Sequence, residues 1–212
     1  MSINGIEVIE ILNKISEVID ENKAYLTELD ASIGDGDHGL NMSKGFTAVK
    51  EKLKDDSGSN IGETLKKAGM ALVSNVGGAS GPLYGTAFMK ASVVVNGKES
   101  IDINDFVKML EEALAGVKMR GKGEAHDKTM IDALAPALDS LKAAIKAGLS
   151  SEDCLYKAKE AAKEGVEYTK TIGARKGRAS YLGERSIGHK DPGATSSFLI
   201  LDTIYNEIKK RC

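Results

Sequence analysis

The chain has 212 residues, 42% hydrophobic and 28% charged, and its 29 basic and 31 acidic residues leave a net charge of −2. That balance excludes a disordered chain, and the missing basic excess excludes a nucleic-acid binder of the usual electrostatic kind. No apolar run reaches membrane-spanning length, and the start, Met1-Ser2-Ile3-Asn4-Gly5-Ile6-Glu7, has no leader pattern, so the sequence predicts one globular domain over 1–212, cytoplasmic and off the membrane.

The periodicity is helical nearly throughout. Ile6, Ile9, Leu12, Ile15 and Ile19 recur at three and four, as do Met42, Phe46, Val49 and Leu53, then Ile61, Leu65, Ala68 and Leu72. Comparable stretches cover 82–95, 104–119, 129–147, 151–171 and 195–210, which makes eight helices in an all-α bundle. The segment 23–29 is also helix-like. Asn104 and Ser150 are expected N-caps, Asp153 completes a capping box with Ser150, and Gly148 is a C-cap. Val93-Val94-Val95 before Asn96-Gly97 resembles a strand and turn, but 98–100 offers no partner, so it is expected to end a helix. Pro136 predicts a kink or break near Ala133. Cys154 and Cys212 lack metal-ligand spacing and fit a reducing compartment as buried or fraying thiols.

Twenty-three glycines exceed the roughly 15 that average usage of about 7% would supply, while prolines number only 3. Fourteen fall in four segments: Gly34, Gly36 and Gly39; Gly77, Gly78, Gly81 and Gly85; Gly121 and Gly123; and Gly173, Gly177, Gly183, Gly188 and Gly193. Clusters of this size imply loops in which the backbone approaches a ligand closely or aims several N–H groups one way, as phosphate binding requires.

Gly34-Asp35-Gly36-Asp37-His38-Gly39 fits the letters of the dinucleotide fingerprint G-x-G-x-x-G, but no strand precedes it and no parallel-sheet sequence surrounds it. An EF-hand fails because Gly39 and Phe46 fall where an oxygen ligand and a glutamate belong, and the chain has no P-loop motif. What remains is Asp30, Asp35 and Asp37 leading into a helix at about His38: a hard-cation site, or a solvated acidic turn. The first-turn amides of His38, Gly39, Leu40 and Asn41 are free to meet an anion. The 75–81 loop, with the Ser80 hydroxyl, offers a second anion site or a tight turn. Between Arg175 and Lys190, five basic residues (Arg175, Lys176, Arg178, Arg185 and Lys190) stand against Glu184 alone. This basic loop is a solvated face, or the cation set that phosphoryl transfer needs opposite a metal. His38 adjoins the acidic loop and His126 and His189 lie in candidate ligand loops, but none stands in a recognisable order with a Ser or Cys nucleophile, so no hydrolytic triad is expected.

Asp30 through Met42, Gly77 through Leu83, Gly121-Lys122 with Asp127-Lys128-Thr129-Met130, and Ala174-Arg175 through Thr195 together resemble the L subunits of dihydroxyacetone kinase, the DhaL family, in order over essentially the whole chain. The resemblance implies an eight-helix antiparallel barrel with a nucleotide site in loops at one end, holding ADP/ATP and two Mg²⁺. It implies Asp30, Asp35 and Asp37 as metal ligands. His38, Gly39, Leu40, Asn41, Ala79 and Ser80 would hold phosphates, and Gly121 and Met130 would meet adenine. Arg178 and Asp191-Pro192-Gly193 would complete the site. The length matches the nucleotide domain alone, as in the phosphotransferase-system type, whose bound ADP takes a phosphoryl group from a phosphohistidine on an M-type subunit and passes it to dihydroxyacetone on a K-type subunit. No covalent protein nucleophile is implied. Another acceptor, a different keto-sugar or a fatty acid, and a role as nucleotide-sensing partner of a transcription regulator remain as alternatives.

Overall fold

The computed structural model describes residues 2–211; Met1 and the Cys212 thiol lie outside the described residues. Nine α-helices are present among these residues: α1 (Gly5–Glu21), α2 (Lys23–Ile33), α3 (His38–Lys52), α4 (Ile61–Asn75), α5 (Ser80–Val94), α6 (Ile103–Gly121), α7 (Ile131–Lys146), α8 (Ser151–Tyr168) and α9 (Pro192–Lys209). Two 3₁₀ stretches, Thr169–Thr171 and Arg178–Ser186, fill the long connection before α9. None of the helices is long and apolar enough to cross a membrane.

α1 starts where Asn4 accepts a bond from the Glu7 N–H at 3.0 Å and the Glu7 carboxylate accepts one from the Asn4 N–H at 2.8 Å, a reciprocal cap. It ends at Asn22, whose side-chain amide donates to the Val18 carbonyl at 2.8 Å. α2 begins one residue later, so there are nine helices where periodicity counted eight. Its buried stripe is only Leu26, Asp30 and Ile33, one of them charged, which hides it from an apolar count.

Consecutive helices from α3 to α9 pack against one another, α9 packs on α1, and α1 packs on α3; α2 lies against α3 and α9. One contiguous apolar core draws residues from every helix, with Phe46 fully buried and edge-on to Phe88 at 6.2 Å between ring centres. Burying a side chain of that size stabilises by about 2–3 kcal/mol. Not every glycine serves a loop. A Cβ on Gly85 would lie 2.8 Å from the Gly69 carbonyl, and one on Gly69 2.9 Å from the Gly85 carbonyl, so the pair lets the α4 and α5 backbones touch.

Three local expectations change, and one pairing was not expected. Two short strands, β1 (Ser2–Asn4) and β2 (Ser100–Asp102), pair antiparallel with each other, and neither pairs with 93–95. Val93 and Val94 end α5 as expected. The cap of α6 is Asp102, which accepts from the N–H groups of Asn104 and Asp105; Asn104 sits inside the first turn. Ser150 caps α8 through the Asp153 N–H, but the Asp153 carboxylate takes the Ser150 hydroxyl rather than its amide, so the box is incomplete. Finally, α7 runs unbroken through Pro136. The Asp132 carbonyl that proline leaves without its helical partner faces Gly165 of α8, where a Cβ would stand 2.0 Å away.

Candidate functional site

The loop between α2 and α3 is organised by a carboxylate from the helix before it. Asp30, only 9% exposed, accepts bonds through Oδ2 from the Asp37 N–H at 2.9 Å and the His38 N–H at 3.2 Å. Gly34 leaves room for the other oxygen, since a Cβ there would stand 2.2 Å from Asp30 Oδ1. The turn through Gly36 (φ +73) then brings carboxylate oxygens of Asp30, Asp35 and Asp37 within 4.8 Å of one another. Three carboxylates at this spacing suit a hard, oxygen-seeking cation. The Arg178 guanidinium, 2.9 Å from Asp35 Oδ2, supplies positive charge at the same place.

The anion face is narrower than the sequence suggests. The His38 amide is spent on Asp30 and the Asn41 amide on the Asp37 carbonyl at 2.9 Å, leaving the amides of Gly39 and Leu40 from that first turn. Of the four residues only His38 lines the cavity. Gly39 packs against the Lys23 carbonyl of α2, Leu40 faces solvent, and the Asn41 amide group lies against Gly77, bracing the second loop. The reason is helical geometry: successive side chains of a first turn point in different directions, and one direction faces inward.

That inward ring joins three helices. His38 Nδ1 lies 3.1 Å from Ser80 Oγ at the start of α5, and Nε2 lies 2.9 Å from Ser196 Oγ near the start of α9. Burial holds the imidazole below its ordinary pKa, against the raising effect of Asp30 and Asp37. Serine partners for this histidine were not expected, yet neither ring nitrogen meets a carboxylate, so the arrangement is a clamp and not a hydrolytic triad. Through the clamp the N-terminal ends of α3, α5 and α9 meet at one cavity of about 420 Å³. Helix N-termini carry partial positive charge and unpaired N–H groups, the standard setting for an anionic group.

The cavity gathers Asp30, Asp35, Asp37, His38, Ala79, Ser80, Gly121, Met130, Arg178, Asp191, Pro192 and Gly193; Gly39, Leu40 and Asn41 stay outside it. His126 and His189 do not line it either, and His126 stacks edge-on with Tyr168 at 5.2 Å. From the basic segment only Lys176 and Arg178 reach it, joined by Arg120 of α6, while Lys190 pairs with Glu167 at 2.6 Å.

Several groups in this region escaped sequence reasoning. Buried Asp132 accepts from the His126 N–H at 2.5 Å and the Thr129 N–H at 2.9 Å, and so shapes the loop that carries Lys122, His126 and Lys128 with left-handed backbones (φ 50, 72 and 61). Tyr84, fully buried, bonds through its hydroxyl to the Gly193 carbonyl at 3.0 Å, Ser196 at 2.7 Å and Ser197 at 2.9 Å, and burial pushes its phenol far above the ordinary range. Lys128 lines the cavity fully buried, and burial lowers its pKa while Asp191 and Asp132 oppose the shift. Asp191 caps α9 by accepting from the Ala194 N–H at 2.6 Å; burial pushes its carboxyl up to about 7, with the Ala194 bond and Lys128 pulling it down. Asp191 was already expected at the site, and Lys128 lies in one of the recognised motifs. Asp132 and Tyr84 sit in ordinary helical patterns.

Fold and site together define a predominantly helical protein whose interhelical loops meet around one cavity that carries three carboxylates and several basic side chains. The chain matches the DAK2 domain over residues 32–206 and belongs to that family. It is 43% identical over 204 residues to the ADP-binding subunit DhaL of the PEP-dependent dihydroxyacetone kinase of Escherichia coli, covering 96% of this chain and 97% of that one. It is 47% identical over 189 residues to the corresponding ADP-binding subunit of dihydroxyacetone kinase 1 of Listeria innocua, covering 89% of each. Among solved structures, the dihydroxyacetone kinase from C. freundii in complex with AMP-PNP and Mg²⁺ superposes with a TM-score of 0.74 at 26% identity, over 97% of this chain. The present chain spans about a third of that kinase, 34% of its length.

Proposed function

We propose that this protein is the ADP-binding phosphotransferase subunit of a dihydroxyacetone kinase of the phosphoenolpyruvate-dependent type. The whole chain is then one nucleotide-binding domain, a closed eight-helix antiparallel barrel formed by α1 and α3 to α9, with its site in the loops at one end. The order in which these helices neighbour one another supports that reading. A phosphohistidine on an M-type subunit supplies the phosphoryl group, and dihydroxyacetone held by a K-type subunit accepts it, in the cytoplasm, where these partners meet. ADP/ATP stays bound as a cofactor with two Mg²⁺.

The observation that carries the proposal is the meeting of the Asp30, Asp35 and Asp37 carboxylates, three helix N-termini and Arg178 around one cavity. Mg²⁺ bound there would neutralise charge on the phosphoryl oxygens and hold them in line. Asp30, Asp35 and Asp37 would ligate it. Ala79 and Ser80 at the start of α5, with the N-terminal end of α3 beside them, would orient the phosphates. Gly121 and Met130 would hold the base, with Asp191, Pro192 and Gly193 closing the far wall and Arg178 covering the transferred group. His38, held between two serines, keeps the helix starts in register, and no side chain need form a covalent phosphoryl adduct.

The test is cofactor content. Desalted protein, once denatured, should release about one adenine nucleotide per chain, and Asp35→Asn should lose it together with Mg²⁺ dependence. Nucleotide-free protein indifferent to Mg²⁺ and ADP would refute the proposal.

A further inference from the structure

Lys128 is a cation buried to 1% exposure in the cavity wall, yet none of its hydrogen bonds goes to a carboxylate. Its Nζ donates to three backbone carbonyls: Thr169 at 2.5 Å, His189 at 2.5 Å and Ile172 at 3.3 Å. An ammonium has three protons, so the set is complete. Thr169 and Ile172 lie where the chain leaves α8 for the basic loop, and His189 lies where it returns toward α9. One side chain therefore closes the neck of the loop 173–188.

Backbone bonds follow the same seam. The Gly188 N–H donates to the Lys170 carbonyl at 2.7 Å, the Asp191 N–H to Thr169 Oγ1 at 2.9 Å, and the Arg175 N–H to the Asp127 carbonyl at 3.0 Å. Beyond the neck the loop is folded on itself. Ser186 Oγ accepts from the Ala174 N–H and donates to the Gly183 carbonyl, while Ala174, Ala179 and Leu182 cluster on Ile33 of α2. Its outer end is held by the Arg178–Asp35 pair at 2.9 Å. Lys128 also holds a left-handed backbone (φ 61), a conformation rare for lysine that persists where surroundings impose it.

We propose that Lys128 is a positioning residue: by tying both ends of the 173–188 loop through three carbonyls, it holds Arg178 over the acidic loop and so governs how fast a bound nucleoside diphosphate leaves. The last clause rests on the nucleotide-binding function proposed above; the tie itself does not.

Hydrogen exchange on nucleotide-free protein tests the tie. Lys128→Met removes all three bonds, and amides of 173–188 should exchange about tenfold faster or more, while α1 and α4 keep their protection. Lys128→Gln, a milder change that keeps a donor, should give a smaller increase in the same segment. Release of a fluorescent ADP analogue loaded with Mg²⁺ tests the consequence. Lys128→Met should speed release about tenfold, but by less than about twofold when Arg178→Ala is already present, because the tie acts through Arg178. An equal factor in both backgrounds, unchanged exchange in the loop, or loss of protection along the whole chain in both variants would each overturn the proposal. If wild-type protein binds no ADP analogue, the nucleotide reading and the release clause fail together, and the exchange comparison still decides the tie.

Discussion

Gly34→Ala tests whether the acidic loop is a built device or a solvated turn. The added methyl would stand 2.2 Å from Asp30 Oδ1 and 3.0 Å from Asp30 Cγ. To regain ordinary contact distance the carboxylate must swing by roughly 1 Å or more. The clash with the carboxylate is relieved by moving the end of a side chain, while the methyl also stands 3.0 Å from the Asp30 backbone carbonyl, which has less room to give. The larger cost lies in what the carboxylate's swing breaks, the bonds from the Asp37 and His38 amides at 2.9 and 3.2 Å. Each such bond to a charged acceptor contributes about 1.5 kcal/mol or more, and Gly→Ala returns about 0.5–1 kcal/mol by restricting the unfolded chain. The net expectation is about 2 kcal/mol, which at this chain length lowers Tm by roughly 4–8 °C. Thermal unfolding of nucleotide-free protein measures that loss, and Mn²⁺ binding followed by electron paramagnetic resonance should weaken about tenfold or more in parallel. Wild-type Tm and wild-type Mn²⁺ affinity in Gly34→Ala would show that Asp30 neither shapes the loop nor ligates a cation.

Tyr84→Phe removes the hydroxyl that meets Gly193, Ser196 and Ser197 in a fully buried setting, and should cost about 1–3 kcal/mol in urea unfolding. Asp191 keeps its proton in the folded protein up to about 7, well above its ordinary 3.8, so between those values the folded state binds more protons than the unfolded one. Stability of nucleotide-free protein should therefore fall as pH rises through that window, and the fall should flatten in Asp191→Asn; urea midpoints taken across the window measure both. Gly165→Ala would put a methyl 2.0 Å from the Asp132 carbonyl and force α7 and α8 apart, lowering Tm by roughly 4 °C or more. A Gly165→Ala protein as stable as wild type would mean that this close backbone approach is not obligatory.

Helices with a strong apolar stripe were legible from residue type alone. α1, with Ile9, Leu12, Ile15 and Ile19 on its buried face, follows from a 3.6-residue repeat whatever it packs against, although Ile6, read into the same stripe, is exposed at the helix start. α2 was the weak case because its inward positions include Asp30, a carboxylate buried by amides that only the folded loop supplies. β1 and β2 were missed because strands of three residues carry no period, and their pairing is set by where α1 and α6 begin. Of the site, the loops and their carboxylates were visible, since clustered glycine and aspartate have few other reasons to coincide. Which first-turn residues face inward was not, because that depends on how α3 is rotated against α2.

Residue chemistry by itself determined that the chain is helical, that its glycines cluster in four segments, and that acidic, amide-rich and basic elements are all present. These properties follow from local backbone preferences and from charges counted along the chain. Only tertiary packing decided that the N-terminal ends of α3, α5 and α9 share one cavity through His38, that Asn41 braces Gly77 instead of facing the cavity, and that Lys128 closes a loop 41 to 61 residues away. Each of these depends on distances between segments far apart in the chain. Such distances are set by how the core packs, and no local repeat encodes them.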